Sequence, residues 1–208
     1  MHQHDRSRSQ SEEYVFSIAT TGDDREDIYR FRRDNYAHSS AYLLTDRAGT
    51  LTAKDEFDDV SHLFLCRHRG IVVSTCRVTP CHLGQWEASA EWPLPIALPV
   101  APDRAVQIGR VVVDRAHRTR RMHEHLFLVA CGWTLDHTTN QFYFALSNHA
   151  HARLYAMIGA KQLHPAGFTL PQRQGRRYFL LGSFIADTHT ILGQRLFAQP
   201  PSAPSAKV

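Results

Sequence analysis

The chain has 208 residues, which is enough for one domain with a sizeable core and tight for two. Its net charge of +4, from 24 basic and 20 acidic residues, is a mild excess, so a nucleic-acid partner is not indicated. No run reaches the length of a membrane span, and the polar N-terminus lacks the apolar segment of a signal peptide, so we expect a cytoplasmic protein. The four cysteines lack the short paired spacing of a zinc site and are expected to be reduced thiols.

The two ends of the chain differ in composition from the stretch between them. Residues 1–13 and 199–208 are polar or rich in proline and serine and show no periodicity, so we expect disordered tails there. A single domain is then expected over 14–198. It begins with a strand at 14–19, where larger apolar residues alternate with smaller ones.

A helix is predicted next, over about 25–38. Arg32 lies in line with Ile28 and Tyr36 at a spacing of four, so a charge stands among the apolar residues of one helix face. Two outcomes fit this pattern. Arg32 points into the protein, or its aliphatic part lies along the apolar face and its guanidinium reaches water.

A long, acidic loop and a hairpin follow. The segments 62–67 and 71–80 are strand-like in composition and flank a tight turn, which predicts a β-hairpin. Arg77 falls inside the second strand, where a charge needs a carboxylate partner. Asp55 or Asp58, just before the hairpin, is the predicted partner.

The segment 106–114 predicts a buried strand, because it is short and rich in β-branched residues. The prolines and tryptophans of 81–102 precede it and predict a loop or short helix over a pocket mouth. Gly109 predicts a β-bulge, since an isolated glycine in a strand often marks one. A bulge there shifts the side-chain alternation and places Gln107 and Arg110 on the same face.

The loop after this strand is crowded with basic residues and is followed by a helix. From residue 122 onward, apolar residues form one stripe of an amphipathic helix. A helix N-terminus turns unpaired N–H groups outward, so loop and helix together predict an anion site. The alternative is a solvated basic loop, which most charge runs are. The basic residues are Arg115, His117, Arg118, Arg120 and Arg121.

The remaining segments predict alternating strands and helices. The apolar run 141–147 predicts a buried strand, and Asn148 is expected to cap a helix over 149–158 that ends at a glycine. Two further strands and a final helix close the pattern. Their predicted positions are 161–163, 177–181 and 184–197.

This order of elements, over 14–182, resembles the GCN5-related N-acetyltransferase (GNAT) fold. The resemblance implies a mixed α/β (α+β) architecture, with a mostly antiparallel sheet flanked by helices and the fourth and fifth strands splayed. In that family the loop after the fourth strand reads Q/R-x-x-G-x-G/A, and its N–H groups hold the donor pyrophosphate. The equivalent here is Arg118-Thr119-Arg120-Arg121-Met122-His123, which keeps the arginine and replaces both glycines.

The segment NHAHARLYAMIG, residues 148–159, is similar to the family pattern N-x-x-A-x-x-L-Y-x-x-x-G. In the family this tyrosine commonly serves as the general acid to the leaving thiolate. Tyr155 holds that position here. The alternative role is an ordinary core tyrosine.

Within the superfamily, the front half is similar to the autoinducer (acyl-homoserine lactone) synthases and the long-chain N-acyl amino acid synthases, which take acyl groups from acyl carrier protein. Gln107 stands where the homoserine lactone enzymes carry glutamate, and Ala53 where they carry an acid. An amino acid or similar small amine is therefore the expected acceptor, in place of S-adenosylmethionine. The matching residues are Arg32, Tyr36, Tyr42, Asp55, Asp58, Cys76-Arg77-Val78 and Gln107-Ile108-Gly109-Arg110.

The resemblance implies an acyltransferase that moves an acyl group, expected to be long, from acyl carrier protein or acyl-CoA to an amine, without a metal. The basic loop would bind the phosphate of phosphopantetheine or the acidic face of the carrier protein, and strand N–H groups would bind the thioester carbonyl. The expected catalytic residues are Arg32, Asp55, Asp58, Arg77, Gln107, Arg110 and Tyr155. The expected donor-binding residues are Val111, Val112, Val113, Arg118, Arg120, Arg121, Met122, His123 and Asn148.

Two other classes remain open from the sequence. One is an ordinary acetyl-CoA-dependent GNAT acetyltransferase, and the other is a non-catalytic GNAT-like module that binds an acyl thioester or a protein. For the arginines, the alternative to substrate binding is a structural ion-pair network. A metal at the histidine pairs 123/125 or 149/151 is not expected, because a spacing of two points the rings to different sides of a helix.

Overall fold

The computed structural model describes residues 14–37, 53–83, 86–93 and 95–197. The predicted tails and Tyr42 lie outside these residues. Within them, strands and helices follow the expected order. One additional short strand, at 168–170, lies in the predicted link between the last two strands. The elements are β1 (Tyr14–Ile18), α1 (Gly22–Ala37), β2 (His62–His68), β3 (Ile71–Pro80), α2 (Glu87–Glu91), β4 (Ala105–Val113), α3 (Met122–His137), β5 (Phe142–Asn148), α4 (His149–Met157), β6 (Lys161–Gln162), β7 (Phe168–Leu170), β8 (Arg176–Phe184) and α5 (Ile185–Phe197).

The strands form one mixed sheet in the order β1-β2-β3-β4-β5-β8-β6, with β7 also paired to β8. Every pairing is antiparallel except that of β4 with β5, which is parallel. The parallel pair is short, since only residues 105–107 pair with 142–144. Beyond that point β4 and β5 separate, which confirms the predicted splay of the fourth and fifth strands.

β4 carries the predicted bulge. Thr75 of β3 faces Val112 and Arg77 faces Gly109, so a step of two residues on β3 faces a step of three on β4. The residue with left-handed backbone in this interval is Arg110, with φ 52°. The extra residue shifts the alternation of side chains, as a bulge does.

The two faces of the sheet are covered by different helices. On one face, the apolar side chains of α3, α4 and α5 pack against β3, β4, β5 and β8. On the other face, α1 covers β2 and the adjoining strands, and the segment with α2 covers β5 and β8. Between these two apolar clusters, above β3 and β4, the buried side chains include charged and polar groups. No helix in the described part of the chain is both long and apolar enough to cross a membrane.

Candidate active site

Two buried arginines and two aspartates meet where α1 and β3 approach the bulge. Arg32 is fully buried, and its Nη1 donates to both carboxylate oxygens of Asp58, at 2.9 and 3.0 Å. Arg77 is also fully buried. Its Nη1 donates to Asp55 and lies 3.4 Å from Oδ1 of Asp58. Arg32 therefore points into the protein, and Arg77 pairs with both candidate aspartates.

Asp58 is held as a carboxylate by these contacts. Burial alone would raise its pKa, but Arg32 and Arg77 outweigh burial and hold the pKa below its usual value. One oxygen of Asp58 also accepts the N–H of Asp55 at 3.1 Å. A carboxylate bound in this way is a weak proton acceptor, so Asp58 is suited to anchor the cluster.

A third carboxylate reaches the cluster from α2. Glu87 is buried, and its Oε2 accepts a hydrogen bond from Nη2 of Arg77 at 2.5 Å. Its Oε1 accepts from Arg173 and lies 3.4 Å from Nη2 of Arg110. The same Nη2 of Arg110 donates to Oδ2 of Asp55 at 2.5 Å. Sequence reasoning missed both Glu87 and Arg173.

Gln107 connects β4 to α2. Its Oε1 accepts the N–H of Ala88 at 2.8 Å, which fixes the start of α2 and directs the neighbouring Glu87 into the cluster. A β-carbon at Gly109 would lie 3.4 Å from Oε2 of Glu87, which is van der Waals contact, so the backbone at 109 passes close to this carboxylate. Burial alone would raise the pKa of Glu87, but the surrounding guanidinium groups hold it far below its usual value. Glu87 thus supplies from α2 a negative charge beside the strand position where Gln107 carries none.

The cluster reaches solvent at one side. The Asp55 side chain is 19% exposed and that of Arg110 is 11% exposed, whereas those of Arg32 and Arg77 have no exposure. Tyr36, from the same helix face as Arg32, is buried, and burial raises the pKa of its hydroxyl. A ligand approaching from solvent therefore meets Asp55 and Arg110 first.

The other side of the bulge presents backbone donors. Asp114 donates its N–H to the carbonyl of Val73 on β3 at 2.9 Å. Because N–H groups alternate in direction along a strand, that of Val112 also points toward β3, and those of Val111 and Val113 point toward the splayed side. Two strand N–H groups therefore face the gap between β4 and β5.

The basic loop forms a 3₁₀ turn (Arg115–Arg120) that ends at a left-handed residue, Arg121. Arg118 is exposed, and its Nε donates to the carbonyl of Val113 at 3.3 Å. The guanidinium of Arg121 is engaged within the protein, by the side chain of Glu124 and a carbonyl oxygen of α5. Arg118 thus has a more accessible guanidinium than Arg121.

The remaining residues predicted on the donor side have structural contacts of their own. Met122 is buried in a small apolar cluster. Asn148 caps α4 as predicted, since its side-chain oxygen accepts an N–H of the first helical turn at 3.1 Å. His123 is partly buried, which lowers its pKa. Tyr155 is buried on the α3 face of the sheet, and burial strongly raises its pKa. The side chain of Arg120 lies outside the part of the chain that the structure describes.

The structure brings together six of the residues expected to be catalytic, and it separates Tyr155 from them by the sheet. The signal that could have found Glu87 is Gln107 itself. A strand that keeps its arginine neighbours but lacks the expected glutamate needs a carboxylate from another segment. The six residues are Arg32, Asp55, Asp58, Arg77, Gln107 and Arg110.

Comparison with known proteins supports this fold. The family model described as N-acyl amino acid synthase FeeM matches residues 27–170. No curated protein gives a significant match. Among solved structures, the CoA-dependent acyl-homoserine lactone synthase BjaI, solved with SAM and isopentyl-CoA, has a TM-score of 0.71 at 17% identity, and the alignment covers 88% of this chain and 89% of that one.

Two further structures have the same architecture. The AHL synthase LasI has a TM-score of 0.68 at 12% identity, over 87% of this chain and 95% of its own. The N-acyl amino acid synthase FeeM from uncultured soil microbes has a TM-score of 0.58 at 12% identity, over 86% of this chain and 94% of its own. Since the family match over 27–170 spans more than half of the chain, the protein belongs to the FeeM N-acyl amino acid synthase family and is an N-acyltransferase.

Proposed function

We propose that this enzyme transfers a long acyl group from a phosphopantetheine thioester, carried by acyl carrier protein or CoA, to the amine of an amino acid. The observation that carries the proposal is the charged cluster around Arg77 at the bulge of β4. It lies beside the point where β4 and β5 separate, so an amine bound at the cluster is next to a thioester held in the gap.

The acceptor is proposed to bind at the solvent side of the cluster. Guanidinium groups bind carboxylates with paired hydrogen bonds, and Arg110 is the arginine that reaches this side together with Asp55. An amino acid offers both partners, a carboxylate for an arginine and an ammonium for an aspartate. Its zwitterionic head therefore matches an opening that presents both signs of charge.

The donor is proposed to bind on the opposite side of β4. The first turn of α3 has N–H groups without intrahelical acceptors, at Met122 and His123, and such a helix start favours a phosphate. Arg118, whose side chain is exposed, is proposed to add a cation to this site. Arg120 is proposed to extend this basic surface toward an acidic carrier protein.

The reaction joins these two sides. The amine nitrogen attacks the thioester carbonyl, the C–N bond forms, and the C–S bond breaks to release a thiolate. The N–H groups of Val111 and Val113 stabilise the oxyanion of the tetrahedral intermediate. Asp55 takes the ammonium proton, directly or through water, since its side chain reaches solvent whereas that of Asp58 is fully buried. The leaving thiolate takes up the proton that Asp55 accepts, directly or through water, because burial raises the pKa of Tyr155 and makes its hydroxyl a poor proton donor.

Product analysis by mass spectrometry tests this proposal. The purified full chain is incubated with acyl-CoA or acyl carrier protein donors of two to sixteen carbons and a panel of amino acids, and amide products are identified. We expect N-acyl amino acids from long donors, and an Asp55→Asn variant with kcat lower by about 10²-fold, the effect of removing a general base. The matched control is Asp59→Asn, because Asp59 is exposed and its partner is Lys54 at 2.8 Å.

Two outcomes would contradict the proposal. Products only from acetyl-CoA would identify an ordinary acetyltransferase. Tight thioester binding with no amide product across the panel would identify a binding module.

A further inference from the structure

We infer that Arg121, Glu124 and Arg195 form a latch that fixes the donor loop to the C-terminal helix α5. In this role Arg121 is a positioning residue for the donor and not a ligand of its phosphate. The inference rests on the proposed function for the identity of the ligand. The existence of the latch does not depend on that function.

The backbone of Arg121 sets where α3 begins. It is left-handed, with φ 53° and ψ 29°, a conformation that glycine adopts without strain and arginine does not. Its carbonyl accepts the N–H of Glu124 at 2.9 Å and that of His125 at 3.2 Å. The outward N–H groups of the first turn therefore keep their direction only while Arg121 keeps this conformation.

Contacts of the Arg121 side chain with α3 and α5 hold its backbone in that conformation. Its Nη1 donates to the backbone carbonyl of Arg195 at 3.0 Å, and its Nη2 donates to Glu124. Arg195 closes the triangle, since its Nη2 and Nε lie 3.2 and 3.4 Å from the oxygens of Glu124. The contacts join two segments that are more than seventy residues apart in sequence.

Glu124 is the buried centre of the latch. Its side chain is 4% exposed, while those of Arg121 and Arg195 are 42% and 37% exposed. Burial alone would raise its pKa, but Arg121 and Arg195 outweigh burial and keep it ionised. A buried carboxylate with two guanidinium partners is costly to separate from either of them, so loop and helix remain joined.

The guanidinium of Arg121 is therefore committed before any donor arrives. A phosphate at the start of α3 is left with the first-turn N–H groups and Arg118. This changes the role that the sequence suggests for Arg121, which stands where the GNAT loop has its first glycine. The arginine at that position replaces a flexible residue with one fixed from α5.

Replacing Glu124 with glutamine separates the latch from simple electrostatics. The change removes a negative charge from the first turn of α3, next to the proposed phosphate site. Electrostatics alone predicts that an anionic donor then binds more tightly. The latch predicts weaker binding, because the loop loses its anchor. The two explanations therefore predict changes in donor affinity of opposite sign.

The experiment combines hydrogen exchange with donor binding, on the full chain. We expect Glu124→Gln and Arg195→Ala to speed exchange of the amides at 115–123, and Arg195→Lys, which keeps the charge, to restore much of the protection. Octanoyl-CoA and octanoyl acyl carrier protein, titrated by calorimetry, are expected to bind Glu124→Gln about tenfold more weakly, as loss of a charge-assisted contact implies. In turnover assays the donor KM rises while kcat and the acceptor KM change little.

The matched control is Asp136→Asn, which removes the same charge from the exposed last turn of α3. It is expected to leave exchange at 115–123 and donor affinity unchanged. Unchanged exchange in Glu124→Gln and Arg195→Ala overturns the latch, whatever the donor is. Faster exchange with equal or tighter donor binding overturns the positioning role of Arg121. If the wild-type chain binds neither donor, the proposed function fails, and the exchange result still decides whether the latch exists.

Discussion

Removing Arg32 should destabilise the protein far more than removing an arginine from the solvent side of the same helix. Arg32 is fully buried and forms two hydrogen bonds to Asp58, which is also fully buried. Arg32→Ala leaves the Asp58 carboxylate with Arg77 at 3.4 Å and one backbone N–H at 3.1 Å. Breaking a buried pair from one side costs about 3 to 5 kcal/mol, because the remaining charge stays buried. For a chain of this size that corresponds to a fall in Tm of roughly 10 °C.

The assay is thermal and urea unfolding followed by circular dichroism. The matched control is Arg30→Ala on the same helix, since Arg30 is 63% exposed and pairs with Asp27 at 3.1 Å. An exposed pair of this kind contributes about 0 to 1 kcal/mol, so the control should unfold close to the wild-type temperature.

A double substitution separates charge from packing. If the cost comes from the charge left on Asp58, then Arg32→Ala combined with Asp58→Asn should lose at least about 1 kcal/mol less than the sum of the single variants. Additive losses, or a loss for Arg32→Ala as small as that for Arg30→Ala, would refute the reasoning about the cluster.

Three further predictions follow from particular residues. The folded-state pKa of Glu87 is depressed, so the stability that its carboxylate contributes is present above the unfolded pKa of about 4.3 and is lost as pH falls through the folded pKa. The Tm, measured from neutral to acid pH, should therefore fall less steeply for Glu87→Gln than for wild type, and equal slopes would contradict this. Gly159→Ala should lower the free energy of unfolding in urea by about 1 to 3 kcal/mol, since the φ of Gly159 is +93° and a β-carbon there would lie 2.7 Å from Ile191. The control is Gly193→Ala in α5, where a β-carbon meets open space, and it should be neutral or stabilising by up to about 1 kcal/mol. Arg118→Ala should weaken octanoyl-CoA binding most at low salt, and an unchanged affinity would remove Arg118 from the donor site.

Much of the fold could be predicted because the local patterns are strong. The hairpin of β2 and β3 follows from two strand-like runs around a tight turn, and its turn residues Arg69 and Gly70 have positive φ as such turns require. The bulge at 109–112 was predictable from one glycine in an apolar strand. β7 was missed because its three residues, 168–170, are too short to show a period and pair only through β8.

Only part of the charged cluster could be predicted from the sequence, and the difference has a physical reason. Arg32 and Arg77 stand out because charges inside apolar patterns must find partners. Glu87 begins the short helix α2 and Arg173 lies in a single 3₁₀ turn. Segments this short show no sequence periodicity, so nothing local distinguishes a buried charge there from a solvated one. Glu87 joins the cluster through a tertiary contact with Arg77 of β3, and Arg173 joins it through Glu87. The partner of Arg121 on α5 is likewise distant in sequence, so no local pattern indicates that contact.

The most direct test of the central claim is mass spectrometry of lipids from a bacterial host that expresses the full chain, compared with hosts that express Asp55→Asn or the control Asp59→Asn at equal protein level. We predict new N-acyl amino acids with long acyl chains in the wild-type and Asp59→Asn hosts, and their near absence with Asp55→Asn. A lipid profile unchanged by folded wild-type protein, or new amides at undiminished level with Asp55→Asn, would contradict the account.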